Sequence, residues 1–262
     1  MSDHLLRGLR RLAAVRAPAS LLPAVLAATG SSPADSYSRF ESELGSVFIA
    51  YNEAGISAVM RANTDLEFGA WFGERFGRSL RHQPEPPETL RRALGERLTR
   101  TGAGRLRFDL QELTPFEREV LLKTLEIPRG EVRTYGWIAR EIGRPGAVRA
   151  VGTALGHNPI PYLIPCHRVV RSDGHLGQYS AGGTAAKREV LAMEGLDPDQ
   201  LEVMARARIR YQGSDTTHIF CFPTCRNARR ISDAHRVAFH SDREALATGY
   251  RPCKVCRPAL VA

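Results

Sequence analysis

Two pairs of cysteines near the end of the sequence, Cys221-Phe222-Pro223-Thr224-Cys225 and Cys253-Lys254-Val255-Cys256, constrain the fold most. A stretch of roughly fifty residues has little apolar surface to bury, so something other than a core must hold it together. Two close pairs supply four sulfurs, the donor set of a tetrahedral zinc site. A zinc ion bound there would stabilise the region by roughly 10 kcal/mol or more. His218, His235 and His240 are further ligand candidates, and two disulfides or an iron–sulfur cluster are the alternatives. Motif-spaced thiols suit a reducing cytosol better than a disulfide framework, which places the chain in the cytoplasm.

The fifth cysteine stands apart, in Asn158-Pro159-Ile160-Pro161-Tyr162-Leu163-Ile164-Pro165-Cys166-His167-Arg168-Val169-Val170. A free thiol is a poor nucleophile at neutral pH, because only a few per cent of it is thiolate. A basic neighbour such as His167, inside a proline-braced pocket, changes that. The plainer alternative is a buried structural cysteine.

The chain has 262 residues, room for two domains. Its formal charge of +9 favours a polyanionic partner. The excess is uneven, since residues 210–262 carry nine Lys/Arg against four Asp/Glu. No apolar run is long enough to span a bilayer, so no membrane partner is expected. Arg7, Arg10, Arg11 and Arg16 precede an Ala/Leu-rich stretch that superficially looks like an export leader. Pro18 and Pro23 interrupt it, and Leu5, Leu9 and Leu12 share a helix face, so residues 1–35 read as a helical extension.

Residues 36–110 read as a small α/β unit. Residues 46–51 and 56–60 flank Asn52-Glu53-Ala54-Gly55, a hairpin signal. Phe68, Phe72 and Phe76 repeat at helical spacing, as do Leu90, Leu94 and Leu98. Nothing in this unit looks catalytic. Residues 111–200 read as mostly helical. Thr114-Pro115-Phe116-Glu117 carries a capping box with proline at the first helical position, and Val120, Leu121 and Leu125 supply the buried face. A helix over Tyr135–Ile142, a turn over Gly143–Gly146 and a helix over Ala147–Leu155 have helix-turn-helix spacing. In the second of these Val148, Val151 and Leu155 are expected inside. Arg149, Gly152, Thr153 and Gly156 share the opposite face. Two glycines inside a helix cost about 1 kcal/mol each, so either a DNA groove or a tightly packed helix must approach the backbone there.

Residues 110–195 resemble the O6-alkylguanine-DNA alkyltransferases. The resemblance rests on residues 127–132 (Ile-Pro-Arg-Gly-Glu-Val), Tyr135 with Ile138-Ala139, Arg149-Ala150-Val151-Gly152, Asn158-Pro159, residues 165–169, Gly177-Gln178-Tyr179 and Glu194-Gly195. It implies irreversible, single-turnover transfer of a methyl group from O6-methylguanine, and from O4-methylthymine, to Cys166. His167 would draw the thiol proton through a water, and Glu194 would orient His167. Tyr135 would donate a proton toward the departing guanine, Asn158 would brace the cysteine's turn, and Val169 and Tyr179 would line the guanine pocket. The implied partner is double-stranded DNA bound through the minor groove. Arg149 would fill the stack vacated by a flipped base, next to Gly152 and Thr153. Cys166 and Glu194 lie one position further apart than the resemblance implies, and the extra residue falls in Ser180–Ala186, a Gly/Ala-rich loop.

Residues 205–262 look like the Ada-type metal-binding domain, on the four cysteines with Ile219-Phe220 and Gly249-Tyr250-Arg251-Pro252. The resemblance implies Zn2+ on Cys221, Cys225, Cys253 and Cys256, and makes Cys221 a second candidate methyl acceptor, from DNA phosphotriesters. Four thiolates on one zinc ion carry a net −2, and methylating one leaves −1, so affinity for DNA should rise. The expected fold is α/β: a small N-terminal unit of ribonuclease-H-like type, a helical helix-turn-helix alkyltransferase domain, and a small zinc-bound α+β module. The expected function is direct DNA repair by a suicide methyl acceptor, in a monomer. The rival is a methylation-responsive, DNA-binding transcription regulator, although no separate transcription-factor helix-turn-helix is visible.

Overall fold

The computed structural model describes residues 35–43, 45–98 and 106–258. The helical stripe of Leu5, Leu9 and Leu12 lies outside the described residues, as does the side chain of Leu98.

The N-terminal unit is a four-stranded sheet of β1 (Asp35–Ser42), β2 (Gly45–Tyr51), β3 (Ile56–Arg61) and β4 (Leu80–His82). The strand order is β3-β2-β1-β4, with β4 parallel to β1 and the other pairs antiparallel. The hairpin closes at Asn52–Gly55, where the Asn52 side chain accepts from the Ala54 and Gly55 amides. Asp35, counted with the N-terminal extension in the sequence, opens β1 and is buried. Strand residues alternate faces. Phe48, Ala50 and Ala58 pack with Phe68 and Phe72 of α1 (Asp65–Phe76), while Val47, Ile49 and Val59 join the main core shared with the helical domain. Phe76 and Leu90 are only partly buried. The exposed edge of β3 is covered: the Val59 amide donates to the Pro159 carbonyl at 2.9 Å. That bond ties the sheet to the loop that leads to Cys166. Helix α2 (Glu88–Leu98) seats Leu94 in the same core.

The helical domain begins with α3 (Pro115–Thr124). Its capping box is complete, with Thr114 and Glu117 each satisfying the other's backbone amide. Val120 and Leu121 are fully buried, and Leu125 is half-buried. Then follow β5 (Arg133–Thr134), α4 (Tyr135–Glu141) and α5 (Val148–Gly156). Thr134 caps α4 through its hydroxyl, which accepts from the Trp137 amide. Val151, Ala154 and Leu155 form the inner face of α5. Val148, expected inside, is 37% exposed, as the whole first turn of α5 is open to solvent and burial begins at Val151. A 3-10 turn holds Cys166–Arg168, and β6 (Val169–Val170) pairs with β5 in parallel. Helices α6 (Gly183–Met193) and α7 (Pro198–Arg206) complete the domain. The Ser180–Ala186 stretch is loop only as far as Gly182, the N-cap of α6.

The last unit is a sheet of order β10-β8-β7-β9, formed by β7 (Tyr211–Ser214), β8 (Ile219–Cys221), β9 (Arg236–Phe239) and β10 (Arg251–Pro252). A short helix, α8 (Asp242–Ala247), connects β9 to β10. Gly213 is required there, since a Cβ would come within 2.9 Å of both the Tyr250 and Phe239 rings. No helix among the described residues is long and apolar enough to cross a membrane.

Candidate functional site

Cys166 is buried at the start of its 3-10 turn. The segment before it is held by one side chain. Asn158 donates through Nδ2 to the Ile164 carbonyl and to Cys166 Sγ, each at 3.0 Å, and accepts from the Ile160 amide through Oδ1. Tyr162, between them, takes a left-handed backbone, φ 70°. A buried thiolate is costly, so burial pushes the Cys166 thiol above its usual range, against the Asn158 bond and the charge of Lys187. The sulfur therefore rests as a thiol and must give up its proton to react.

His167 follows Cys166 directly in the turn. Its Nε2 meets Glu194 Oε1 at 2.9 Å. The carboxylate fixes the tautomer with hydrogen on Nε2, which leaves Nδ1 as the proton acceptor. Nδ1 is buried and has no hydrogen-bond partner among the described residues. Burial lowers the imidazole below its usual value, with Glu194 opposing, so the ring is neutral at pH 7. Burial alone would raise Glu194. The hydrogen bonds from His167 and Arg168 outweigh it and hold the carboxyl well below the usual range. Arg168 grips both carboxylate oxygens, through Nε at 2.9 Å and Nη2 at 2.7 Å, and the Gly130 amide adds a bond at 3.2 Å. Gly130 has φ 70°, and a Cβ there would stand 3.0 Å from the Glu194 carbonyl oxygen.

Two of these groups are absent from the sequence-based set. Arg168 is adjacent to His167, yet its carboxylate partner is 26 positions away. Lys187 is fully buried and donates to the Val169 and Leu176 carbonyls, each at 2.6 Å. Burial pulls its ammonium down to about 8, with Cys166 opposing. Lysine is almost never fully buried, so no local signal marks it.

Of the residues expected in the pocket, Val169 is fully buried in β6, and Tyr179 meets the His167 ring edge-on at 6.2 Å. Tyr135 lies half-buried at the start of α4, its phenol raised first by burial and then by Cys166. None of the three lines the neighbouring cavity of about 430 Å³. That cavity is bounded by Asn158, Pro161 and Ser180 and, from the N-terminal unit, by Met60 and Trp71.

Arg149 and Thr153 are exposed on the outer face of α5; the Thr153 hydroxyl donates to the Arg149 carbonyl, and the Arg149 guanidinium has no hydrogen bond or ion pair among the described residues. Gly152 and Gly156 lie on the same side. A Cβ on Gly152 would be 3.9 Å from the Tyr135 ring, an ordinary contact, and one on Gly156 would meet nothing within 4 Å. Packing within the protein therefore does not require these glycines, which removes tight helix packing as their explanation.

The four remaining cysteines converge because β8 and β10 run parallel, with Pro252 opposite Phe220. Their sulfurs all lie within 4.8 Å of one another, and none forms a disulfide. A tetrahedron with sulfur bonds of about 2.3 Å has edges of about 3.8 Å, so the set fits one metal ion. His218, His235 and His240 are not among the clustered groups. The sulfurs are not equivalent. Cys253 accepts from Asn227 Nδ2 and the Val255 amide, and Cys225 from the Asn227 and Ala228 amides. Cys256 is fully buried, with its carbonyl accepting from Trp137 Nε1 at 3.0 Å. Cys221 has no N–H donor among the described residues and lines an open cleft of about 520 Å³ with Arg230, Arg251 and Lys254.

A family model described as the DNA-binding domain of 6-O-methylguanine DNA methyltransferase matches residues 115–196, and one described as the metal-binding domain of Ada matches residues 206–259. A methylated-DNA–protein-cysteine methyltransferase of Methanosarcina acetivorans is 38% identical over 167 residues, covering 61% of this chain and 97% of the relative. The mouse protein of that name is 52% identical over 86 residues, covering 32% of this chain and 41% of the relative. The chain thus spans less than half the length of the mouse relative. Among solved structures, Mycobacterium tuberculosis OGT in complex with DNA matches with TM-score 0.50 at 30% identity, covering 63% of this chain and 98% of that one. The O6-methylguanine methyltransferase of the same organism matches with TM-score 0.51 at 32% identity, covering 61% and 92%.

Proposed function

Because the chain belongs to the methylated-DNA–protein-cysteine methyltransferase family, we propose that it repairs DNA by moving a methyl group from O6-methylguanine, and from O4-methylthymine, onto Cys166. The observation that carries this reading is the aligned set Asn158, Cys166, His167 and Glu194. In the proposed step the Cys166 proton passes, through a water, to His167 Nδ1. The sulfur attacks the methyl carbon, an S–C bond forms, and the C–O6 bond breaks with its electron pair on the base. Glu194 stabilises the imidazolium that results, and Arg168 keeps Glu194 ionised. Tyr135 supplies a proton to the departing base. The product is unmodified guanine and a thioether that no group in the site can cleave, so each chain reacts once.

The substrate base lies in a stack, and reaching Cys166 requires extruding it from double-stranded DNA, at a few kcal/mol. The outer face of α5 suits the minor groove: Arg149 is free to fill the vacated stack, and Gly152 and Thr153 let the backbone come close. Val169 and Tyr179 back the base pocket. The chain acts as a monomer in the cytoplasm, where thiols stay reduced.

The metal on Cys221, Cys225, Cys253 and Cys256 is zinc in this reading, and when bound it would hold the four sulfurs as thiolates. Cys221 is the second acceptor, taking methyl from a DNA phosphotriester. Of the two sulfurs without an N–H bond among the described residues, Cys221 and Cys256, it is the one that faces a cleft, and the Arg230, Arg251 and Lys254 of that cleft suit a phosphate backbone. The test is peptide mass spectrometry after mixing zinc-loaded protein with duplex DNA carrying O6-methylguanine or a methyl phosphotriester. One methyl on Cys166, absent from Cys166→Ala, is expected with the first DNA, and one on Cys221 with the second. DNA binding without methyl on either sulfur would favour the methylation-responsive regulator.

A further inference from the structure

A six-residue strap, Arg129–Thr134, joins the two sulfur sites. On one side it serves Cys166. Arg129 donates to the Met193 carbonyl and the Gly130 amide to Glu194 Oε2. Arg133 and Thr134 pair with Val169 and Val170, and Thr134 caps the helix that starts at Tyr135. On the other side the strap is gripped by the cysteine module. The Val132 amide donates to Thr224 Oγ1 at 2.9 Å, and the Arg226 amide donates to Glu131 Oε1 at 3.0 Å. Thr224 and Arg226 are the two residues flanking Cys225. The Arg229 guanidinium sits over Gly130, and the Arg133 guanidinium stacks over Phe222 at 5.3 Å.

These contacts are buried. Glu131 and Arg133 form an ion pair in which each side chain is 2% exposed, and Thr224 is 4% exposed. A buried pair is costly to disturb, because breaking it leaves an uncompensated buried charge. One Glu131 oxygen takes the Arg133 bond and the other takes the Arg226 amide. Removing the module would open the pair to water and release the strap next to Glu194.

We propose that the metal-loaded cysteine module is a brace for the Cys166 site: Thr224 and Arg226, fixed by Cys225 on the metal, are positioning residues that hold Glu131 and Val132, and through them hold Gly130 on Glu194. The four-cysteine centre thus acts on the guanine reaction in addition to any chemistry of its own. This rests on the reading of Cys166 as the acceptor.

The test compares the full chain loaded with zinc, the same chain after treatment with a chelator, and the zinc-loaded variants Thr224→Ala and Thr224→Ser. Two quantities are read: hydrogen exchange of the peptide spanning 129–134, and the rate of alkyl transfer to Cys166 from free O6-benzylguanine. A free base removes DNA docking from the comparison. In chelated protein and in Thr224→Ala the strap amides lose protection while β2 and β3 keep theirs, and transfer slows by about 10- to 100-fold, the size expected of a small misplacement. Thr224→Ser, which keeps the hydroxyl, stays within about twofold of the parent, whereas a merely space-filling role would leave serine as impaired as alanine. Unchanged strap protection after metal removal overturns the brace, as does full rescue of rate in Thr224→Ala. No alkyl on Cys166 in the zinc-loaded parent overturns the acceptor reading instead, and the exchange data then still decide the brace.

Discussion

Cys166 and Cys221 are both buried sulfurs, but their surroundings differ. Cys166 stands alone in a helical domain whose core runs from Val47 to Val190 and continues into the cysteine module through Phe222 and Ala228, and burial keeps it a thiol. In the proposed reaction it needs a neutral base, an orienting carboxylate and an arginine to hold that carboxylate ionised. Cys221 stands with three other sulfurs beside a short sheet, and in the proposed reading a bound cation would do there what His167 and Glu194 do at Cys166. The first arrangement demands a large fold to position three side chains from separate elements. The second demands a metal, because the module's own apolar cluster is Phe220, Phe239, Ala245 and Tyr250 with two partly buried neighbours. Activation by side chains is therefore expected to depend on packing, and activation by a metal on the ion itself.

Metal removal should separate the two sites most strongly. A structural zinc ion in small domains is worth roughly 10 kcal/mol or more, so a chelator should unfold residues from about β7 onward. The helices around Cys166 should remain, because most of the core they share, from Val47 to Val190, lies outside the cysteine module. Circular dichroism with limited proteolysis would measure this. Complete loss of helix signal on chelation would mean that the two regions fold as one unit and that the contrast between them is false.

Glu194→Gln should come next in size. Glutamine keeps a carbonyl acceptor but removes the charge that Arg168 and His167 share. An arginine left buried beside a neutral partner costs about 3 kcal/mol, and loss of the oriented base slows transfer by about 10²- to 10⁴-fold. Denaturant unfolding and single-turnover rates check the two halves separately. Metal affinity of the cysteine module should stay within a few-fold, and a large drop would sharpen the comparison by showing that the strap carries strain in both directions.

The pH dependence of the Cys166 reaction follows from His167. Its imidazole lies below the usual 6.5, and only the neutral ring accepts the thiol proton. The rate should therefore hold level as pH falls from 7.5 to 6.5 and decline only below that. An inflection at or above 6.5 in the single-turnover rate would mean that Glu194 outweighs burial and that the resting ring is charged.

What sequence revealed of these sites divides along the same line. The four cysteines were legible because metal ligation uses one residue type at short spacing. The Asn158–Cys166–His167 run and the Thr114–Glu117 capping box were legible because their partners are close in sequence. Arg168 and Lys187 were not, since each is fixed by groups distant along the chain. Strand β1 was missed for a related reason. Asp35-Ser36-Tyr37-Ser38-Arg39-Phe40-Glu41-Ser42 has no apolar alternation, and it becomes a strand because β2 and β4 pair with both of its edges. Docking of the module joins backbone amides of Val132 and Arg226 to the side chains of Thr224 and Glu131, and Arg257 to Glu141, partners roughly a hundred positions apart that no local pattern links.

The smallest effect tests the outer face of α5. Gly152 lies inside a helix, where alanine is more favourable by about 1 kcal/mol. A Cβ there meets only the Tyr135 ring, at 3.9 Å, so Gly152→Ala should stabilise the isolated protein by roughly 0.5–1 kcal/mol. If duplex DNA must approach that backbone, the added methyl should lower the ratio of the duplex rate to the free-base rate. The ratio matters because any disturbance of Tyr135 enters both rates and cancels. A stabilised variant with an unchanged ratio would mean that DNA does not approach α5 at Gly152, and the glycines on this face would need a different partner. A stabilised variant with a lowered ratio would show a helix that gives up intrinsic stability for close approach to its substrate.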